Sequence, residues 1–139
     1  MIEKDLVILG GGAAGLSAAI EAHNLGIKDI LLLEKNNYLG GILNQCIHNG
    51  FGLHEFKEEL TGPEFMSRLA QKVVELNIPY RLESNILALT KDKIVTYSKL
   101  IPAFPVAVAA PYAVDVVNVS WLNPNILTVL LSTVAVSPT

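Results

Sequence analysis

Leu6-Val7-Ile8-Leu9-Gly10-Gly11-Gly12-Ala13-Ala14-Gly15 is the stretch on which the reading of this 139-residue chain turns. Four apolar residues without polar alternation suit a strand buried on both faces, as in a parallel sheet. They run straight into G-x-G-x-x-G, with Gly10, Gly12 and Gly15 at the key positions. Gly10 permits a tight turn out of the strand. Gly12 has no side chain to keep the backbone from a pyrophosphate, and Gly15 lets the next helix pack closely on the sheet. That helix opens at Ala13 and Ala14 and carries Leu16, Ile20 and Leu25 at helical spacing. Its free N–H groups and partial positive charge suit a diphosphate. Gly26 is a left-handed stop. A second buried strand, Ile30-Leu31-Leu32-Leu33, ends in Glu34 and Lys35. A carboxylate at that tip can accept from both ribose hydroxyls and would repel a 2′-phosphate. Glycine clusters often serve only as turns. Here strand, turn, helix, strand and acid all fall within the expected ~30 residues, so a dinucleotide site is expected.

Working outward, the composition bounds what this unit belongs to. Hydrophobic residues make up 51% and charged residues 17%, which excludes a disordered chain. A net charge of −3 argues against nucleic acid as a partner. The single cysteine, Cys46, excludes an intramolecular disulfide and fits a reducing compartment. Met1-Ile2-Glu3-Lys4-Asp5 lacks the basic and apolar regions of a signal peptide, so a cytoplasmic protein is expected. No membrane partner is expected either. No run reaches ~18 apolar residues, and Asn123, Pro124 and Asn125 interrupt the best window.

From Asp5 to about Lys99 the chain resembles the N-terminal FAD-binding region of the pyridine nucleotide-disulfide oxidoreductase superfamily. The resemblance rests on Gly10 to Gly15, on Glu34-Lys35, and on the glycine pair in Leu39-Gly40-Gly41-Ile42-Leu43. It implies an α/β, Rossmann-like FAD/NAD(P)-binding fold. The sheet would be parallel, with helices on both faces and a small β-meander, and it would be incomplete. It implies FAD at this first glycine motif, held by Gly10, Gly12, Ala13, Ala14, Gly15, Glu34, Lys35, Gly40 and Gly41. NAD(P)H would belong to a second motif that only a full-length parent would carry. The superfamily's C-x₄-C dithiol is missing, because Cys46 stands alone. What remains is hydride transfer through the flavin from NAD(P)H or a small substrate. The other reading is a non-catalytic dinucleotide- or ADP-binding module, or a non-functional gene fragment.

Cys46 and His48 are the catalytic candidates, since by resemblance their loop passes near the flavin ring. Cys46 reads as a redox thiol or as an inert filler of a small apolar site. The filler is favoured, because no lysine or arginine lies nearby in sequence. His48 and His54 flank a turn-like Asn49-Gly50-Phe51-Gly52 and could move protons. With Cys46 they lack a fourth ligand at metal-site spacing, and no metal is expected.

Thr61-Gly62-Pro63-Glu64 predicts a helix start with a capping box, followed by an apolar stripe of Phe65, Leu69, Val73 and Leu76. Ile78 to Leu82 predicts an edge strand that tolerates Pro79. Asn85–Leu89 and Lys93–Tyr97 predict a hairpin about Lys91-Asp92. Beyond Lys99 the character changes. No glycine follows Gly62, Asp115 is the only charge after Lys99, and five of the seven prolines lie there. Residues 1–99 are therefore taken as the FAD-binding domain and 100–139 as an apolar tail, with the reading frame slipped or misassembled near residue 99. Two extra strands are the other possibility, around Val117, Val119 and Trp121 and over Ile126–Leu131.

Overall fold

The computed structural model describes residues 2–100 and 112–119. The first strand is divided between two sheets. β1 (Ile2–Lys4) ends at Asp5, and β2 (Leu6–Leu9) continues from it. At the break, the N–H groups of Asp5 and Leu6 both donate to the Asp29 carbonyl, at 3.1 and 3.3 Å. β2 then lies parallel to β3 (Ile30–Leu33), which lies parallel to β6 (Tyr80–Arg81), in the order β2-β3-β6. α1 (Ala13–Asn24) connects the first pair, and Gly26 ends it with φ +99°. β6 is an edge strand as expected. Pro79 just before it gives up only a donor, while its carbonyl accepts from Leu32 at 3.0 Å.

Alternation along β2 and β3 divides the core in two. Leu6, Ile8, Ile30 and Leu32 point to one face. There they meet Leu16, Ala19 and Ile20 of α1 and Met66, Leu69 and Val73 of α3 (Gly62–Glu75). Val7, Leu31 and Leu33 point to the other face and meet Val95 and Tyr97. These belong to β8 (Ile94–Leu100), the middle strand of a meander with β7 (Ser84–Leu89) and β9 (Tyr112–Val119). The fold is thus α/β around a parallel sheet, but the helices are arranged differently from the expected placement on both faces. Among the described residues α1 and α3 share one face, and the meander covers the other. The reason is packing: a short antiparallel sheet with Val95 and Tyr97 inward buries the second apolar face as a helix would.

The hairpin expected at Lys91-Asp92 is present, with β7 antiparallel to β8. β9 lies beyond Lys99, pairing antiparallel with β8 and parallel with β1, Ile2 to Val117 through Lys4 to Val119. Trp121 and Ile126–Leu131 lie outside the described residues. The segment expected as a turn at Asn49–Gly52 is partly regular. β4 (Asn49–Phe51) pairs antiparallel with β5 (Leu60–Thr61) around α2 (Leu53–Phe56).

Candidate cofactor site

The site is built where the ends of β2 and β3 meet the start of α1. Gly10 leaves β2 with φ +109°, a conformation that favours glycine, and its N–H donates to the Leu33 carbonyl at 2.8 Å. A Cβ on Gly15 would stand 1.9 Å from the Gly10 carbonyl oxygen, so no side chain fits there. A Cβ on Gly12 would meet nothing within 4 Å, so the space in front of that backbone is open. Gly12 is also the N-cap of α1, and it supplies no side-chain hydrogen bond. The first helical bond runs from Leu16 N–H to the Gly12 carbonyl at 2.9 Å. The N–H groups ahead of it, from Ala13 to Gly15, have no intrahelical acceptor, and the first turn carries no acidic residue. The result is a helix start bearing donors and partial positive charge beside open space.

Glu34 closes one side of this cradle. It is only 5% exposed, and backbone donors hold both carboxylate oxygens. Gly11 N–H donates to Oε2 at 2.6 Å and Asn36 N–H to Oε1 at 2.8 Å. The acid is thereby oriented at the strand tip by the chain's own backbone. Lys35 beside it is exposed. Gly11, which the glycine motif leaves as a free position, has close neighbours of its own. Its missing Cβ would lie 2.6 Å from Leu39 Cδ2 and 3.2 Å from Glu34 Oε2. No signal in the motif marks this, because both neighbours come from the following strand and loop.

The glycine pair returns to the first turn. Gly40 N–H donates to the Gly11 carbonyl at 2.8 Å, and a Cβ on Gly41 would lie 3.4 Å from Gly12 Cα. Gly40 and Gly41 take φ +118° and +54° and open a 3₁₀ turn over Gly41–Gln45. Cys46 ends that turn, half-buried, its Sγ 3.7 Å from the Ile42 carbonyl and its own carbonyl accepting from Gly62 N–H at 2.9 Å. His48 is exposed, with Nδ1 2.9 Å from the Asn49 carbonyl and its ring against Phe51. The sequence-expected residues thus come together around Gly10–Gly15, Glu34 and Gly40–Gly41, while Cys46 and His48 follow on the next segment.

The chain matches the family described as FAD dependent oxidoreductase over residues 5–139. It belongs to that family. The match runs on past Lys99 through the last forty or so residues. The chain is 39% identical over 67 residues to bacilliredoxin reductase Bdr of Bacillus subtilis, which is 48% of this chain and 20% of that one. It is also 39% identical over 69 residues to 4,4′-diaponeurosporene oxygenase of Staphylococcus haemolyticus, 50% of this chain and 14% of the relative. The chain therefore spans a fifth or less of the length of these relatives. Among solved structures it is similar in fold to the bacillithiol disulfide reductase of Bacillus cereus. The TM-score is 0.59 at 17% identity, covering 83% of this chain and 37% of that one. It is likewise similar to thioredoxin reductase of Lactococcus lactis, with TM-score 0.58 at 20% identity, covering 83% and 33%.

FAD is the cofactor of this family, and the cradle fits it. The backbone at Gly12 faces open space, the start of α1 has no side-chain cap, and Glu34 stands oriented at the strand tip. This chain carries the FAD-binding portion of a flavin-dependent oxidoreductase. Among the described residues no helix is long and apolar enough to cross a membrane.

Proposed function

We propose that FAD held by this chain takes hydride from NAD(P)H or from a small substrate in a longer oxidoreductase. When bound, FAD supplies the two-electron chemistry, and the protein supplies binding and orientation. The backbone from Gly10 to Gly15, with Ala13 and Ala14 at the helix start, would hold the diphosphate. Glu34 would orient the ribose. Lys35 would add positive charge at the rim, and Gly40 and Gly41 would lie along the flavin side. The observation that carries this reading is the hydrogen bond from Gly40 N–H to Gly11 O, which lays the second glycine turn on the first. A site for ADP alone has no use for that second turn.

The proposed domain division is 1–99 for the FAD-binding part and 100–139 for a segment of separate character, with β9 joining the meander. The cytoplasm is the proposed compartment, because reduced nicotinamide, the expected donor, is made inside the cell. For Cys46 we favour a packing role, supported by its half-burial and by its Cβ lying close against the Gly62 backbone. His48 is the proposed proton carrier, supported by its exposure next to that segment.

The test is an absorbance spectrum of the purified 139-residue chain, before and after adding FAD and removing the excess. A retained flavin band is expected. A chain that binds ADP but never retains flavin would replace this reading with that of an ADP-binding module.

A further inference from the structure

Asn44 is not one of the residues that the glycine motifs bring to notice, yet it is bonded into the middle of the site. Its side-chain Nδ2–H donates to the Leu39 carbonyl at 2.9 Å. The flat carboxamide lies directly over Gly40: a Cβ on Gly40 would sit 2.4 Å from Asn44 Nδ2 and 2.6 Å from Oδ1. Gly40 is therefore glycine for two reasons, its φ of +118° and the amide stacked on it. The Leu39 carbonyl that Asn44 holds belongs to the residue whose side chain covers Gly11, and the next N–H in the chain is the one that donates to Gly11 O. From the other side, a Cβ on Gly62 would stand 2.1 Å from the Leu43 carbonyl oxygen, so the start of α3 backs the same turn without a gap. The Asn44 side chain thus bonds, from within, the turn that lies on the phosphate loop.

We propose that Asn44 is a positioning residue. It holds the Leu39–Gly40–Gly41 turn against Gly11–Gly12 and so sets affinity for the flavin half of FAD, while affinity for the ADP half rests on the glycine loop and Glu34. The inference rests on the FAD reading above and deepens it. Two substitutions isolate the donor. Asn44→Leu keeps the approximate shape and removes all hydrogen bonding. Asn44→Asp keeps the shape more closely and turns the donor into an acceptor facing the Leu39 carbonyl.

The experiment compares the full chain with both variants in two ways. The first is amide hydrogen exchange without any ligand. Gly40 should exchange about tenfold faster in Asn44→Leu, the size expected for one lost hydrogen bond, and faster still in Asn44→Asp. The Gly10 amide, bonded to Leu33, should be unchanged. The second is titration with FAD and with ADP. FAD should bind about tenfold more weakly to Asn44→Leu, with ADP within about twofold of the parent. Equal loss of FAD and ADP affinity, or Gly40 exchange that does not change, overturns the role of Asn44. A parent chain that binds no FAD overturns the FAD reading and this inference together. If parent and variants all bind FAD equally, only the Asn44 inference falls. Should Asn44→Leu fail to fold, Asn44→Asp carries the same comparison.

Discussion

The two long helices begin in opposite ways. α3 starts at Thr61 with a complete capping box: Thr61 N–H donates to Glu64 Oε2 at 2.8 Å, and Glu64 N–H donates back to Thr61 Oγ1 at 3.5 Å. Pro63 removes a further donor that would have gone unpaired. α1 starts at Gly12 with no cap, no acid in the first turn and open space in front. One helix satisfies its own end, and the other keeps its donors for something else. The lesson is that a helix start is structural or ligand-facing according to where its first N–H groups find acceptors. Both starts nevertheless rest on a glycine that admits no side chain, Gly15 against Gly10 O and Gly62 against Leu43 O.

The strongest way to break the comparison is to fill those two glycines. Gly15→Ala forces a Cβ to 1.9 Å from the backbone oxygen of Gly10, whose N–H is bonded to Leu33. A loss of about 3 kcal/mol is expected, a large share of a small domain's stability, and urea unfolding measures it. Gly62→Ala, at 2.1 Å from Leu43 O, should cost nearly as much, about 2 kcal/mol, because the 3₁₀ turn can yield a little. A midpoint within error of the parent for either variant would show that the close contact is not what it looks like.

Gly12→Asp sharpens the contrast by giving α1 the cap that α3 has. Gly12 sits at φ −80°, which any residue adopts, and its Cβ position is open. Stability should hold or rise by a few tenths of a kcal/mol. FAD affinity should fall about 100-fold, because the carboxylate takes the donors and repels the diphosphate. Loss of both stability and affinity would instead make Gly12 a structural glycine. The reverse change, Thr61→Ala, uncaps α3 and should cost about 1 kcal/mol with FAD affinity unchanged.

The smallest effect is one of pH. Thr61 holds the Glu64 carboxyl below its ordinary range, first through its backbone N–H and then through its hydroxyl. A pKa lowered by folding stabilises fully above the unfolded value, near about 4.3, and the stabilisation is lost as pH falls through the lower folded value. Glu64→Gln should therefore flatten the acid side of the stability curve below about pH 4. α1 has no acid at its start and contributes no such slope. An unchanged acid limb in Glu64→Gln would place the acid sensitivity elsewhere in the chain.

Much of this was legible in the residues. β2, α1 and β3 follow from local pattern, because a buried run, a glycine turn and an alanine-rich helix need no distant partner to be recognised. The capping box at Thr61 and the hairpin at Lys91-Asp92 are local too. Less legible was β4, whose three residues look like a turn until Leu60–Thr61 comes back to pair with them. The placement of both helices on one face was hidden as well. β2 and β3 are apolar on both faces, and nothing in Val7, Leu31 or Leu33 tells whether a helix or a sheet will cover them. The close neighbours of Gly11 and Gly62 were hidden because they lie on other segments.

By itself the sequence determined a strand, a glycine turn, a helix and an acid in that order, since each depends on contacts within a few residues. Only the tertiary structure decided that Gly40 reaches back to Gly11 and that the Gly11 N–H clasps Glu34. The physical reason is range. Backbone conformation answers to neighbours along the chain, whereas a carbonyl, an amide and a missing Cβ answer to whatever the fold brings within a few ångströms.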